Sequence, residues 1–156
     1  MHLYASKTVR AMQLTKFSDY AVRVLMFADG AGNRLVTIDQ MSEAYKVSRT
    51  HLTKVVNRLT RSGFLLAVRG RSGGLKLAKR PDDIRLGDVV RSTESGFSIV
   101  ECFTTGNSCV IAGRCQLAGV MDEARENFLA TLDQYTLADI ALKPRDLKRI
   151  AATALQ

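Results

Sequence analysis

Apolar residues recur along the chain at helical spacing, then at strand spacing, and then at helical spacing again. From Lys16 to Gly30 an apolar side chain recurs every three or four residues, which predicts an amphipathic helix that ends at the glycine. A second helix is predicted to open at Thr37, whose hydroxyl is placed to cap the amides near Gln40 in a capping box. A short turn over residues 45–47 separates it from a third helix.

The third predicted helix combines one apolar face with a basic, hydrogen-bonding surface. Ser48 is suited to cap its start, and we expect it to run to about Ser62 and to be closed by Gly63. Two helices joined by a short turn, the second one basic, are typical of a helix-turn-helix. The apolar face comprises Leu52, Val55, Val56 and Leu59. The residues of this helix predicted to contact DNA are Ser48, Arg49, Thr50, His51, Lys54 and Arg58.

A β-hairpin is predicted directly after the third helix. Residues 64–69 and 75–78 have the composition of two short strands, and a glycine-rich turn over 70–74 joins them. A hairpin in this position is the wing of a winged helix-turn-helix, and arginines at its tip can enter a narrow, A·T-rich minor groove. The predicted wing contacts are Arg69, Gly70, Arg71, Ser72 and Lys76.

Two further helices are predicted after the hairpin. Asp82 is expected to cap a short fourth helix across residues 84–90. A longer helix from Leu117 to Tyr135 carries an apolar stripe and would extend roughly 28 Å. Because this stripe is longer than the core of a small winged helix needs, we expect it to pack against a second subunit. The predicted fold is mainly α with a small β-hairpin wing, a winged helix-turn-helix DNA-binding domain and a long dimerisation helix.

At 156 residues the chain can bury one substantial core, and it divides into five segments by pattern. No apolar run approaches the ~20 residues that span a bilayer, and the N-terminus lacks the pattern of an export signal. Clustered thiols without an export signal predict the cytoplasm, with no membrane partner. The segments are a disordered extension (1–11), the winged helix-turn-helix domain (12–95), a cysteine loop (96–116), the dimerisation helix with its C-terminal segment (117–141) and a tail (142–156).

The positive charge of the chain is concentrated in one stretch. The net charge is +8, yet residues 46–80 hold ten Lys or Arg and no Asp or Glu. The rest of the chain has thirteen basic and fifteen acidic residues, a balance of −2. A one-sign segment of this length favours contact with a polyanion. A small α+β enzyme domain gives no reason for a basic, glycine-rich hairpin tip, so we predict a DNA-binding protein and not an enzyme.

The cysteines form the second concentration of chemistry, all of them lying within fourteen residues. Gly106 and Gly113 lie between them and allow the backbone to turn the thiols toward one point. Structural zinc favours two-residue gaps where this chain has six and five, and neither histidine, His2 or His51, is adjacent in sequence to serve a catalytic thiol. An iron–sulfur cluster and a thiol redox switch are the better readings, and zinc stays open. The candidate ligands are Cys102, Cys109 and Cys115.

Three segments of the chain resemble the iron–sulfur winged-helix transcriptional regulators, the family that includes the NsrR, IscR and RirA groups: residues 12–21, 47–52 and 68–75. The cysteine loop and residues 135–139 resemble most the nitric-oxide-sensing NsrR group, and the likeness covers about residues 12 to 141. The resemblance implies a homodimeric repressor that binds a pseudo-palindromic, A/T-rich operator in double-stranded DNA. It also implies a [4Fe–4S] cluster, favoured over [2Fe–2S], whose nitrosylation by nitric oxide releases the DNA.

The resemblance further implies the ligands of that cluster. The three cysteines of one subunit bind it, and Asp19 of the partner subunit completes the set. Taken by its position alone, Asp19 is a carboxylate that stabilises a helix N-terminus or pairs with Arg23. Glu101 and Asp122 are competing oxygen donors.

One residue of this chain argues against the IscR group within that family. IscR-type proteins are expected to carry a histidine three residues after the last cysteine, where this chain has Ala118. The neighbouring iron-responsive group also uses three cysteines, with slightly different spacing. The alternatives are therefore an iron-responsive iron–sulfur regulator and a thiol- or zinc-based redox-sensing DNA-binding regulator.

Overall fold

The computed structural model describes residues 13–103, 106 and 108–153, so the predicted extension at residues 1–11 lies outside it. Within the described ranges the chain is mainly helical, with one two-stranded antiparallel sheet. The predicted fold class is confirmed. The elements are α1 (Lys16–Gly30), α2 (Ile38–Tyr45), α3 (Arg49–Arg61), β1 (Leu65–Val68), β2 (Gly74–Leu77), α4 (Leu86–Thr93), α5 (Gln116–Asp133) and α6 (Pro144–Thr153).

Side-chain caps set the starts of the first three helices. The Thr37 hydroxyl accepts from the Gln40 amide (3.2 Å), and the Gln40 side chain accepts from the Thr37 amide (2.9 Å), so the capping box is complete. Ser48 accepts from the His51 amide at 3.3 Å at the start of α3. Between these helices Lys46 adopts a left-handed backbone (φ 55°), which ends α2 and lets α3 turn away from it. The two helices are placed as the sequence predicted.

The apolar face of α3 is the centre of the core. Its four predicted residues, Leu52, Val55, Val56 and Leu59, are at most 5% exposed. They pack with the buried side of α1, where Val24 and Leu25 are fully buried. Burying side chains of this size stabilises the fold by about 1.5–3 kcal/mol each. This burial determines which face of α3 is left for solvent.

The hairpin packs its inner face on the same core. Leu65 pairs with Leu77, and both Leu65 and Leu75 are buried. Val36, just before α2, exchanges two backbone hydrogen bonds with Leu75 (3.0 and 2.8 Å). The wing is therefore attached to the helix-turn-helix at its base, while its tip extends beyond the sheet.

The predicted helix cap by Asp82 is wrong. Residues 81–83 form one 3₁₀ turn, and α4 begins only at Leu86, without a side-chain cap. Ile84 is fully buried and extended, and its carbonyl accepts from the Leu137 amide at 2.8 Å. This long-range pairing holds the backbone out of the helix for two residues, so the Asp82 carboxylate pairs with Arg80 instead (3.1 Å).

The long helix α5 leaves most of its predicted apolar stripe on the surface. Only Leu129 is buried among its described residues. Leu117, Val120 and Phe128 are 55%, 60% and 42% exposed. At about 1.5 Å per residue its 18 residues span roughly 27 Å. Much of the stripe therefore stays open to solvent in the described part of this chain.

The C-terminal end of α5 is joined to α4 by a network of polar contacts. The Arg91 guanidinium binds both carboxylate oxygens of Asp133 at 2.6 Å, and Arg85 donates to the Asp133 carbonyl at 2.6 Å. The hydrogen bond from Arg91 holds the pKa of Asp133 below its usual range. A methyl group at Gly87 would overlap the Asp133 carboxylate, so the small residue permits this approach. We call these contacts the α4–α5 joint.

The segment predicted as a tail contains α6, which packs on α1 and α2. Leu147 is buried, and its Cδ2 atom would lie 2.9 Å from a Cβ atom at Gly30.

Among the helices that the structure describes, none is long and apolar enough to cross a membrane.

Asp133→Asn should lower the free energy of unfolding at neutral pH, because the amide cannot pair with Arg91 as a carboxylate does. Since the pKa of Asp133 is lowered by folding, its contribution is present above the pKa of the unfolded chain and is lost as the pH falls through the folded value. The wild-type protein should therefore lose more stability than the variant below roughly pH 4. Urea unfolding at a series of pH values measures this. Glu123→Gln, which removes an exposed carboxylate from the same helix, is the control, and parallel pH curves for wild type and Asp133→Asn would contradict the prediction.

Candidate DNA-binding surface and cysteine pocket

The solvent face of α3 carries the predicted recognition residues. With the apolar side of the helix buried, Ser48, Arg49, Thr50, His51, Lys54 and Arg58 are all exposed. Arg49 pairs with Asp39 in the first turn of α2 at 2.9 Å, and both side chains are more than half exposed. Such a surface pair contributes about 0.2–1 kcal/mol, so Arg49 can exchange it for a phosphate at little cost. The pair links the starts of α2 and α3, whose placement is set by the buried core.

The wing tip depends on two glycines. Gly70 has φ 117°, a region that L side chains avoid, and its carbonyl accepts from the Gly73 amide at 3.0 Å to close the turn. A Cβ atom at Gly73 would overlap the Val68 carbonyl. This tight tip presents four exposed predicted contacts, Arg69, Gly70, Arg71 and Ser72, while Lys76 is exposed on the returning strand.

The concentrated positive charge lies on one structural unit, the helix-turn-helix and its wing. All ten basic residues between positions 46 and 80 are exposed. Lys79 reaches over the Phe64 ring at 5.5 Å and still belongs to the exposed set. A surface of one sign on this unit attracts a polyanion and raises its rate of encounter. The charge pattern predicted from the sequence is therefore a surface property of the folded chain.

The cysteine loop forms one pocket that all three thiols line. The pocket has a volume of about 220 Å³, and its three cysteines are free and partly buried. Gly106 and Gly113 have φ of 78° and 82°, which only glycine adopts readily. The other walls are mostly apolar, from Val100, Ile111, Ala112, Gly113, Leu117 and Ala118.

The donor chemistry of this pocket fits an iron–sulfur cluster. Among the described residues, no three His, Cys, Asp or Glu side chains lie close enough to hold a single metal ion. A multi-iron cluster requires a wider spacing, because thiolates bind separate iron atoms. Three cysteines line one mostly apolar pocket, which offers thiol donors for such a cluster and leaves one further donor to be supplied.

Two aromatic contacts that the sequence did not predict hold the cysteine loop against α5. Phe97 packs on Phe128 with ring centroids 5.6 Å apart, and the Arg125 guanidinium lies 5.5 Å from the Phe103 ring centroid, next to Cys102. On the same helix, Asp122 pairs with Arg125, which lies three residues later. The arginine–carboxylate spacing on α5 was readable from the sequence, but no local pattern joins Phe103 to Arg125.

The proposed oxygen ligands have other partners or lie outside the description. Asp19, in the first turn of α1, pairs with Arg23 through two contacts of 2.9 and 3.1 Å, and is about half exposed. This is the role that its position alone indicated, and ligation across a dimer stays a prediction. Asp122 pairs with Arg125, and the side chain of Glu101 is not among those described.

Sequence comparison identifies the relatives of this chain. The model of the Rrf2 family, described as an iron-dependent transcriptional regulator, matches residues 14–143. The HTH-type transcriptional regulator NsrR of Bacillus subtilis is 44% identical over 141 residues, which cover 89% of this chain and 97% of that protein. The NsrR of Geobacillus kaustophilus is 46% identical over 131 residues, or 83% and 89% of the two chains.

Solved structures share the architecture. T. potens IscR superposes with a TM-score of 0.66 at 25% identity, over 83% of this chain and 86% of that one. The oxidized form of Staphylococcus aureus CymR gives a TM-score of 0.68 at 20% identity, over 85% and 98%, and shows the shared fold alone.

The sequence-based expectation of a regulator and not an enzyme is confirmed by these relatives. The exposed basic helix, the wing and the match over most of the chain agree with one another. This chain belongs to the Rrf2 family and is a winged-helix, DNA-binding transcriptional regulator.

Proposed function

We propose that this chain is a homodimeric repressor that senses nitric oxide through a [4Fe–4S] cluster and releases its operator when the cluster is nitrosylated. The observation that carries the proposal is the mostly apolar pocket that all three cysteines line, in a chain 44% identical to an NsrR. A DNA-binding regulator acts on the chromosome, which is consistent with a cytoplasmic location.

Cys102, Cys109 and Cys115 are the residues that hold the cluster, with Asp19 of the partner subunit as the fourth donor. When bound, the cluster supplies iron that reacts with nitric oxide. The apolar walls around the thiols, including Val100 and Ile111, admit a small neutral molecule more readily than an anion. A carboxylate is a harder donor than the three thiolates, which makes its position the one most easily given up.

The dimer is proposed to form along the exposed stripe of α5. Leu117 both lines the cysteine pocket and is exposed at the start of this stripe. The pocket and the proposed interface are therefore continuous, so a partner subunit packed on the stripe would lie next to the pocket. The α4–α5 joint then connects the interface to the DNA-binding domain through Arg91 and Asp133.

On DNA, the two α3 helices of the dimer are proposed to enter successive major grooves of a pseudo-palindromic operator, with half-sites about 34–36 Å apart. The wings contact the A/T-rich minor groove through Arg69 or Arg71. If the carboxylate of Asp19 dissociates from the partner's pocket, α1 loses its fixed position relative to the other subunit. The helix α3, which packs against α1, then loses its fixed position as well. The two recognition helices then no longer match the half-site spacing.

An iron-responsive regulator is the second candidate, because the matching family is described as iron-dependent. Both candidates share the DNA-binding surface and the cysteine pocket. They differ in whether nitric oxide or the iron supply changes operator binding.

Anaerobic titration with nitric oxide should abolish cluster absorbance and operator binding at matching doses. Cys109→Ser should yield protein with little iron and sulfide and no such response, because a hydroxyl is a poor iron ligand at neutral pH. Ala112→Ser adds a hydroxyl to the same pocket without removing a thiol, and should behave as wild type. Operator binding that is insensitive to nitric oxide but falls when iron is withheld would favour the iron-responsive candidate, and colourless wild-type protein would remove the cluster from the proposal.

Asp19→Ala should leave the fold intact and make the cluster more labile toward a chelator, as followed by the decay of its absorbance. Arg23→Gln is the matched control, because it breaks the same ion pair and keeps the carboxylate. Equal cluster lifetimes in Asp19→Ala and wild type would return Asp19 to its role at the start of α1.

Arg69→Ala should weaken operator binding by about 1–3 kcal/mol if the wing makes a specific contact. Arg145→Ala removes the same charge from exposed α6, outside the basic segment, and should change binding little. Fluorescence anisotropy at several salt concentrations measures both variants. Indistinguishable affinities for Arg69→Ala and wild type would exclude the wing residue from the interface.

A further inference from the structure

The interface between α1 and α4 contains a buried polar contact. Among the side chains that the structure describes, the buried polar ones are Ser18 and Thr93, at 0% and 7% exposure. Their hydroxyl oxygens lie 2.8 Å apart. A buried hydroxyl is costly without a partner, so this pair allows one register of α1 against α4 and penalises others.

The hydroxyl groups of this contact can be assigned as donors and acceptors in one consistent way. The Thr93 hydroxyl donates to the Val89 carbonyl (2.9 Å), so Ser18 donates to Thr93. Thr15 donates to Glu94 Oε1 through its hydroxyl (3.0 Å) and through its backbone amide (2.9 Å). The Glu94 carboxylate thus accepts two hydrogen bonds at the N-terminus of α1, where the helix dipole also favours a negative charge. We call Thr15, Ser18, Thr93 and Glu94 the α1–α4 clasp.

The clasp lies between two parts of the proposed sensor. Glu94 directly follows α4, and the chain enters the cysteine loop immediately after it. Thr15 caps α1, and Asp19 lies in the first turn of that helix. Glu94 precedes the cysteine loop by two positions, so the clasp binds the end of α4, next to that loop, to the end of α1 that carries the proposed fourth ligand.

We propose that Glu94 is a positioning residue that holds the first turn of α1 and so directs Asp19 toward the partner's cysteine pocket. The inference rests on the proposed function, in which Asp19 binds across the dimer. The clasp ties the end of α4, next to each subunit's cysteine loop, to the Asp19 that serves the other subunit's pocket. A change in one pocket is thereby passed to the other, and the two sites of the dimer respond together.

The clasp itself is tested in metal-free, reduced protein by amide hydrogen exchange. Glu94→Ala should raise exchange in the first turn of α1 by roughly tenfold, while the protection of α3 stays unchanged. Glu94→Gln keeps an acceptor oxygen without the charge and should fall between Glu94→Ala and wild type. Glu43→Ala, which removes an exposed carboxylate from α2, is the control. Unchanged exchange at α1 in Glu94→Ala would overturn the inference.

The positioning role is tested by cluster lifetime in the anaerobic holoprotein, measured by absorbance decay with a chelator. Glu94→Ala should shorten the lifetime, and the double variant Asp19→Ala/Glu94→Ala should decay no faster than Asp19→Ala alone, because Glu94 acts through Asp19. Additive effects, or a wild-type lifetime in Glu94→Ala, would show that the clasp is structural only and overturn the inference.

The outcomes of these experiments distinguish this inference from the proposed function on which it rests. Wild-type protein without a cluster, or an Asp19→Ala variant with a wild-type lifetime, would overturn both. A labile Asp19→Ala variant beside a stable Glu94→Ala variant would overturn the inference alone and leave the proposed function in place.

Discussion

The burial of four apolar residues on one side of α3 is the constraint on which the DNA-binding surface depends. Leu52, Val55, Val56 and Leu59 each contribute about 1.5–3 kcal/mol when removed from water, whereas the exposed Arg49–Asp39 pair contributes about 1 kcal/mol at most. The core therefore orients α3, and the ion pair only follows that orientation. With the apolar side inward, every basic side chain of the helix is left on the surface.

The part of the chain that follows the wing is attached to this core by polar contacts of high sequence separation. At one end of α5 the Arg91–Asp133 pair joins residues 42 positions apart, and near the cysteine loop the Ser18–Thr93 pair joins residues 75 positions apart. Polar pairs are directional, so they fix a register in a way that apolar packing does not. In the proposed sensor, these contacts are the links between the cysteine loop and the recognition helices.

Much of the fold was predictable because its signals are local. The capping box at Thr37, the cap at Ser48 and the tip glycines Gly70 and Gly73 act within five residues of themselves, so they work the same way in any tertiary context. The predicted cap at Asp82 failed because Ile84 is drawn into the core and pairs with Leu137. For the site, the sequence identified the thiols and the basic residues, but not the aromatic contacts that hold the cysteine loop on α5.

The sequence by itself determined the limits of the first three helices, the sign of the charged surface, the cluster of thiols and the apolar stripe of α5. Each follows from the spacing of residue types along the chain, so a short stretch of sequence is enough to reveal it. Only the tertiary structure decided that the three thiols share one pocket, that α6 packs on α1 and α2, and that Glu94 binds the start of α1. These contacts join residues from distant positions in the chain. They form only when the folding of the whole core offsets the entropy lost in closing the loops between them.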